Sequence, residues 1–226
     1  MVEPGVFLLA APRLTIGILC TEAAIFADIE SIHPEPTLYG VTDGKAVGTY
    51  LEHKFRAYLE GKYTFAQGNS AAGIDFPALG VDIKVTAVTQ PQSSCPFKSA
   101  RQKIYGLGYG LLVFVYDKKD IPETRTATLN VLHTVYVEAC RTGDFQITRL
   151  IRQALDNEGN EEDLIAIMVD KNLPLDEIEA KKIAKELLKS KPEQGYLTIS
   201  NALQWRLQYS RIIEKAGQVK GISKLR

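Results

Sequence analysis

Six consecutive apolar residues at 111–116 constrain the fold of this chain more than any other feature. Leu, Val, Phe and Tyr follow one another there without a polar residue, which is typical of a strand buried on both faces. Residues 74–79 and 81–88 predict two shorter strands joined tightly at Gly80. A helix over residues 46–61 precedes them, and a short helix over 98–107 separates them from the buried strand. The predicted order is therefore helix, strand, strand, helix, strand.

Residues beyond 124 have helical patterning. We predict helices near residues 126–140, 144–155, 161–171, 175–189 and 198–216, in addition to one at 15–32 near the start. The polar, glycine-containing stretch 156–160 predicts a linker. The sequence therefore divides into a part that contains strands and a helical C-terminal region.

The charge distribution favours contact with a polyanion at defined places. The 27 basic and 27 acidic residues cancel, which excludes a nonspecific, charge-driven coat protein. Residues 83–116 contain four basic and no acidic residues, residues 156–179 contain nine acidic and one basic, and residues 189–226 contain eight basic and two acidic. Two positive segments thus flank a negative one.

The numbers and spacing of cysteines and histidines limit which disulfides and metal sites the chain can form. The three cysteines are odd in number and widely spaced, so neither a disulfide framework nor a CxxC zinc site is expected. With three histidines and no HExxH or HxH motif, any metal has to bind carboxylate oxygens. Glu3 stands where a signal peptide carries basic residues, and the apolar stretch 107–116 is too short to span a bilayer. We expect a cytoplasmic protein without a transmembrane helix.

The strongest chemical signal is Asp75 followed by Asp82 and Lys84. Alternate residues of a strand share a face, so Asp82, Lys84 and Thr86 should point one way while Val81 and its alternates face the core. Two carboxylates on adjacent strands can chelate a hard divalent cation, and an ammonium beside them can orient or activate water. The alternative is a solvated ion pair at a sheet edge, because Asp/Glu-x-Lys occurs at five other places.

In this order of helices and strands, Asp75 and Asp82-x-Lys84 resemble the PD-(D/E)xK nuclease superfamily, and specifically a type II restriction endonuclease. The resemblance covers residues 47–116, and Ile74 stands where the motif's name has proline. It implies an α/β fold, with a restriction-endonuclease-like mixed β-sheet core flanked by helices and a helical C-terminal region. It also implies Mg²⁺-dependent hydrolysis of DNA phosphodiesters.

The resemblance assigns roles residue by residue. Asp75 and Asp82 become metal ligands, and Lys84 positions the attacking water and stabilises charge at phosphorus. Glu52, on the preceding helix, corresponds to the family's additional acidic residue, which helps to hold metal or water. The alternative for Glu52 is a surface ion pair with Arg56 four residues later. Residues 1–155 are then the catalytic domain, and residues 156–226 a helical subdomain for DNA recognition or dimerisation.

Two polar segments are predicted to contact DNA, because Gln and Arg suit base edges while Ser and Lys suit phosphates. The first follows the catalytic strand as a polar loop over residues 90–97 and the short helix after it, and the second is the polar stripe of the predicted helix 198–216. The candidate DNA-binding residues are Thr86, Gln90, Gln92, Ser93, Ser94, Lys98, Arg101, Gln102, Asn201, Gln204, Gln208 and Arg211.

The sequence therefore predicts a Mg²⁺-dependent, sequence-specific endonuclease of double-stranded DNA. A structure-specific repair nuclease or junction resolvase, and a non-enzymatic helical DNA-binding regulator, are the alternatives. One copy of the motif cuts one strand, so we expect a symmetric homodimer on a palindromic site. The candidate interfaces are residues 6–11, residues 16–26, or Trp205 with Ile212.

Overall fold

The computed structural model describes residues 11–66, 68, 73–95, 98–200 and 205–226. Its helices are α1 (Ile16–Ser31), α2 (Gly44–Glu60), α3 (Arg101–Tyr105), α4 (Phe145–Asp156), α5 (Glu161–Asp170), α6 (Glu177–Lys189) and α7 (Ser210–Lys215). Its strands are β1 (Val81–Ala87), β2 (Gln92–Cys95), β3 (Gly110–Ile121), β4 (Thr126–Val137), β5 (Thr198–Ile199), β6 (Trp205–Gln208) and β7 (Ile222–Lys224).

The central sheet has the strand order β1-β3-β4-β7. Strand β1 is parallel to β3, while β3 with β4 and β4 with β7 are antiparallel. The sheet is therefore mixed, and helices cover it, which confirms the predicted α/β fold. Strand β1 forms one edge of this sheet, so one side of its backbone is available to other groups.

Strand β3 is buried on both faces, as its apolar run predicts. Leu112 and Phe114 belong to a core shared with α1 and α2. Leu111, Val113 and Val115 belong to a second core on the opposite face. Because the side chains of a strand alternate, a strand covered on both sides needs a continuous apolar sequence.

A second, antiparallel sheet of order β2-β6-β5 packs on that opposite face. The predictions of a loop at residues 90–97 and of a helix at 198–216 were wrong here. Trp205, Leu207 and Tyr209 are buried while Arg206 and Gln208 are exposed, which is the two-residue period of a strand. A helix follows only at Ser210–Lys215.

The predicted helix at residues 126–140 was also wrong, because this segment forms strand β4. It is rich in threonine and valine, whose β-branched side chains pack well on a pleated sheet. Its pairing with β3 along the strand, with a register shift at Val115/Tyr116, satisfies its backbone groups. Pairing with β3 therefore stabilises this segment as a strand, although its pattern of apolar residues also fits a helix.

Residues 74–79 form a turn and not the predicted strand. The backbone N–H of Leu79 donates to the carbonyl of Phe76, and Gly80 has a φ of 62°. Pro77, which lacks an N–H, suits the second position of such a turn. Phe76 is buried and pairs with Val81 in an isolated bridge, so the chain folds back directly onto the start of β1.

The predicted helices at residues 144–155, 161–171 and 175–189 are confirmed as α4, α5 and α6, which share their own apolar core. After residue 189 the chain adds β6 beside β2 and β7 beside β4. Beyond α6, the described part of the C-terminal region therefore consists of strands and loops with the short helix α7. The domain boundary at residues 155/156 stays a prediction. In the described part of the chain, no helix has the length and apolarity to span a bilayer.

Candidate active site

The structure brings Glu52, Asp75, Asp82 and Lys84 together at the free edge of β1. They line a cavity of about 300 Å³, whose other described lining residues are Arg56, Gly68, Gly73, Ile74 and Ile83. Helix α2 supplies Glu52, the turn before β1 supplies Asp75, and β1 itself supplies the other two. The site therefore forms where a helix, a turn and an edge strand meet.

Asp75 is held by the edge strand itself. Its Oδ2 accepts a hydrogen bond of 2.8 Å from the backbone N–H of Ile83, which belongs to β1. Its Oδ1 lies 3.7 Å from Nη1 of Arg56. The burial of the neighbouring Phe76 fixes the turn. A hydrogen bond from the backbone of β1 thus holds Asp75 next to Asp82. Asp75 reaches this position from a turn and not from the adjacent strand that the sequence predicted.

Asp82 and Lys84 form an ion pair inside the cleft. The Lys84 Nζ lies 2.7 Å from Oδ2 of Asp82, and the Asp82 side chain is buried. Burial raises the pKa of Asp82 to about 6; the hydrogen bond with Asp75 and its charge also raise it, against the opposing effect of Lys84. Burial alone would lower the pKa of Lys84, but Asp82, Glu52 and Asp75 raise it overall. Lys84 is therefore a cation at neutral pH.

Glu52 points into the cleft from α2, beside the fully buried Leu51 of the core stripe. Asp43 caps the start of α2, because its carboxylate accepts hydrogen bonds from the backbone N–H groups of Lys45 and Ala46. Burial and then the charge of Asp75 raise the pKa of Glu52 to about 7. The cleft therefore holds carboxyl groups whose ionised forms are costly.

Arg56 is a site residue that sequence reasoning did not identify as such. We considered it only as an ion-pair partner of Glu52, but its guanidinium lies beside Asp75, and its Nε contacts the backbone carbonyl of Glu52 at 3.4 Å. The available signal was its position one helical turn after Glu52, on the same face of α2.

The donor set of the cleft suits a hard divalent cation. The pKa values of Glu52 and Asp82 are raised by burial and by neighbouring carboxylates, and a bound cation would relieve both effects. Within the described residues, no three His, Cys, Asp or Glu side chains form a compact ligand cluster. Asp75 and Asp82 would therefore hold the ion together with water, and Mg²⁺ usually keeps several waters.

Three of the predicted DNA-binding residues lie in or beside the turn that joins β1 to β2. The buried hydroxyl of Thr86 accepts from the backbone N–H of Gln92 and lies 3.1 Å from the carbonyls of Gln90 and Gln92. The Thr86 side chain therefore closes the turn and does not face outward. Gln90 is exposed, and Gln92 is half-buried at the start of β2.

The predicted DNA-binding residues Ser93 and Ser94 lie on opposite faces of β2, and Lys98 lies in the segment that follows it. Ser93 points inward, with its Oγ 2.5 Å from the hydroxyl of the buried Tyr209. Ser94 points outward and is exposed. Lys98 is exposed ahead of α3.

Arg101 and Gln102 of α3 are engaged within the protein. The Arg101 guanidinium pairs with Glu179 at 2.8 Å and with Glu186, both on α6. The Nε2 of Gln102 donates to the carbonyl of Leu107 at 3.2 Å. Arg101 could contact a base only after breaking its ion pairs with Glu179 and Glu186. The sequence signal could not distinguish these uses, because α6 is distant along the chain.

The second predicted DNA-binding segment is described in part. Gln208 is exposed on β6. The Arg211 guanidinium lies over the Phe145 ring, 3.9 Å from its centroid, in a cavity of about 430 Å³ that Lys103 and Arg149 also line. Asn201 and Gln204 lie outside the described residues. Strand β6 also exposes Arg206, which we had not singled out.

Comparisons with known proteins agree with this geometry. Residues 13–224 match the family model described as type II restriction enzyme NspV. A protein of that description from Nostoc sp. (strain ATCC 29411 / PCC 7524) is 71% identical over 209 residues, which cover 92% of this chain and 95% of the Nostoc protein. No solved structure matches the chain. The chain therefore belongs to the NspV family of type II restriction enzymes.

Proposed function

We propose that this protein cleaves double-stranded DNA at a specific sequence by metal-dependent hydrolysis of phosphodiester bonds. The observation that carries the proposal is the meeting of Glu52, Asp75, Asp82 and Lys84 in one cleft at the edge of β1. Membership of a type II restriction enzyme family supports the same reaction. The PD-(D/E)xK resemblance, based on Asp75, Asp82 and Lys84, agrees with it.

Each residue has a role that follows from its surroundings. Hydrolysis adds water across a P–O bond and increases negative charge at the phosphoryl oxygens. Lys84, kept protonated by Asp82, donates hydrogen bonds that orient the water and stabilise this charge. Arg56 holds Asp75 from the side of α2. Glu52 helps to hold the water or the metal.

Mg²⁺ is the cofactor we propose, and Asp75 and Asp82 are its ligands. When bound, such an ion neutralises developing charge and makes water a better nucleophile. The buried Asp82 and the half-buried Asp75 support the proposal, because they are in hydrogen-bond contact and a divalent cation would relieve the repulsion that helps to raise the pKa of Asp82. Asp75 Oδ2 is already oriented by the Ile83 N–H, so the protein pre-arranges part of the ligand set.

The substrate is DNA, which the protein contacts on the side of β2 and β6. Gln90, Ser94, Lys98 and Gln208 are exposed there and remain candidates for DNA contact. The cavity around Arg211 suits a backbone phosphate, because its lining is cationic overall: Lys103, Arg149 and Lys171 also line it, against the one carboxylate of Asp144. Gln92 is half-buried but lies on the same strand as Ser94.

We also propose a homodimer, because one cleft can hydrolyse one strand at a time. Trp205 and Ile212, which we considered as interface residues, are 2% and 0% exposed and are not available for it. In the candidate segment 16–26, Ile16 and Ile25 are 38% and 43% exposed, and this segment stays a candidate. The exposed Ile29 on α1 and Ile32 just after it extend the apolar surface beyond that segment. Most of the other candidate segment, residues 6–11, lies outside the described residues.

Digestion of plasmid and phage DNA with Mg²⁺, followed by mapping of the ends, tests the proposed function. We expect discrete fragments with ends in one short sequence and no cleavage in the presence of a chelator. Cleavage at branched DNA without sequence preference would instead indicate a junction resolvase or repair nuclease. DNA binding without any metal-dependent hydrolysis would indicate a non-enzymatic regulator.

A further inference from the structure

The second sheet presents a polar surface that the sequence alone did not predict. The cross-strand register places Gln92 opposite Gln208, Gln208 opposite Thr198, and Ser94 opposite Arg206. Directly opposite residues of antiparallel strands share a face. We call the surface formed by these five side chains the outer face. Ser94, Thr198, Arg206 and Gln208 are exposed, and Gln92 is half-buried.

The opposite side of the same sheet is apolar and packs against the central sheet. Cys95, Ile199, Trp205 and Leu207 are all buried there. The core therefore fixes the register of three short strands, and with it the spacing of the residues on the outer face. A rigid platform of this kind loses little conformational entropy when its side chains bind a ligand.

The side chains of the outer face are free to bind. In the described part of the chain, Arg206, Gln208, Gln92 and Ser94 make no side-chain hydrogen bond or ion pair. Strands β2, β5 and β6 contain no acidic residue. The outer face can therefore approach a polyanion without repulsion, and it presents directed amide and guanidinium donors.

The size of the outer face suits the major groove of DNA. The major groove is about 12 Å wide and admits a two-stranded β-ribbon. The paired strands β2 and β6 form such a ribbon, about 4.8 Å from strand to strand, and they carry all the side chains of the outer face except Thr198. Arg pairs bidentately with guanine, and Gln with adenine, in that groove. The residue types and the width of the face thus agree.

Strand β2, which carries part of the outer face, lies close to the candidate active site along the chain and in space. Residues 88–91 alone separate β2 from the catalytic strand β1. Cys95, on the inner side of β2, is near enough to Lys84 and Asp82 for their charges to affect its thiol. DNA held in the cleft would therefore pass next to β2 and its partner β6.

We propose that the outer face reads base edges in the major groove, with Arg206 and Gln208 as specificity-determining residues. This inference rests on the proposed function and identifies where its sequence preference arises. Arg206 is expected to recognise a guanine and Gln208 an adenine in each half of the site. The neighbouring Ser94, Thr198 and Gln92 fill the groove beside them.

Selection from a randomised duplex DNA library tests the proposal, with Ca²⁺ replacing Mg²⁺ so that binding is measured without cleavage. We compare the wild-type protein with the Arg206→Ala and Gln208→Ala variants. Each should lose preference at one base pair, and at its symmetry-related pair, by about 5- to 150-fold. Both side chains are exposed, so the melting temperature of the variants should stay unchanged.

Two control variants distinguish base reading from general attraction. Arg206→Lys keeps the charge but loses the two-pronged geometry of the guanidinium, so it should not restore the lost preference. Arg13→Ala removes an exposed charge far along the chain from this sheet and should leave the selected sequence unchanged. If Arg206→Lys behaves as wild type, Arg206 contacts a phosphate and the inference is overturned.

The same experiment separates this inference from the proposed function. If the wild-type protein cleaves at a specific sequence and Arg206→Ala and Gln208→Ala select that sequence equally well, the inference fails and the function stands. If the wild-type protein selects a sequence that both variants lose, but never hydrolyses it, the inference stands and the function fails. If the wild-type protein selects no sequence, both are overturned.

Discussion

The cleft at the edge of the central sheet and the outer face of the second sheet differ in charge, burial and origin. The cleft concentrates three carboxyls, and the pKa values of Glu52 and Asp82 are raised because burial disfavours their charge. The outer face has no acidic residue and is mostly exposed. The cleft holds carboxyl charges at an energetic cost, whereas the outer face holds exposed amide, hydroxyl and guanidinium groups at little cost.

This difference indicates that chemistry and recognition are carried by separate sheets. The stored repulsion among the carboxylates of the cleft is useful only when a cation arrives to balance it. The outer face needs a fixed spacing and no stored charge. Substitutions in the cleft should therefore change rate and pH dependence, while substitutions outside it should change selectivity or stability.

The largest effect is expected for Asp82→Asn and Lys84→Ala. Each should reduce DNA cleavage by about 1,000-fold or more, because the ligand or the cation at the reacting phosphate is lost. Binding to the same duplex in Ca²⁺ should stay within a few-fold of wild type for Lys84→Ala. Single-turnover cleavage and a gel-shift assay measure the two quantities. Cleavage close to the wild-type rate in either variant would contradict the assignment of the cleft.

The next largest effect concerns pH. The pKa values of Asp82, about 6, and Glu52, about 7, are both raised, so below these values the carboxyls take up protons that a cation must displace. The Mg²⁺ concentration for half-maximal cleavage should therefore increase as the pH falls, by about tenfold per pH unit for each displaced proton. Metal titrations between about pH 8 and about pH 5 measure this.

The Glu52→Gln variant serves as the control for the pH effect. It removes the group with the higher pKa, so the metal requirement should begin to increase only near about pH 6, where Asp82 takes up its proton. A metal requirement that is independent of pH in the wild-type protein would argue against carboxylate ligands with these pKa values.

A smaller effect is expected at Thr86, which lies between the two regions. Thr86→Val leaves the backbone N–H of Gln92 without its hydrogen bond in the β1–β2 turn. The free energy of unfolding should fall by about 1 to 3 kcal/mol. Denaturant unfolding measures it, and Thr86→Ser is the matched control that keeps the hydroxyl. A loss of DNA selectivity at full stability would instead support the predicted DNA contact.

The smallest effect is expected at Arg101. Arg101→Ala removes the partly exposed ion pairs with Glu179 and Glu186, so stability should fall by about 1 kcal/mol, less at high salt. The sequence preference should not change. Altered preference at one base pair, with unchanged melting temperature, would restore Arg101 as a base-contacting residue and extend recognition from the outer face to α3.

The sequence by itself determined the features that depend on local patterns. The apolar run 111–116 predicted a strand covered on both sides, and Asp82-x-Lys84 in a strand predicted two side chains on one face. The periodicity of an amphipathic helix predicted α2, whereas Glu52 became a candidate only through the family resemblance, with an ion pair to Arg56 as the alternative. These inferences from periodicity succeed because neighbouring residues fix it.

Tertiary structure alone decided which distant segments pair. Strand β4 and the β5–β6 region have residues that fit both helical and strand patterns, and partner strands selected the latter by satisfying the backbone and burying alternate side chains. For the same reason Arg206 meets Ser94 on one face, while Arg101 meets Glu179 and Glu186 on α6. The backbone hydrogen bonds of a strand are made with another segment of the chain, which its own sequence does not specify. Which residues of a strand share a surface with those of its neighbour is therefore decided only in the tertiary structure.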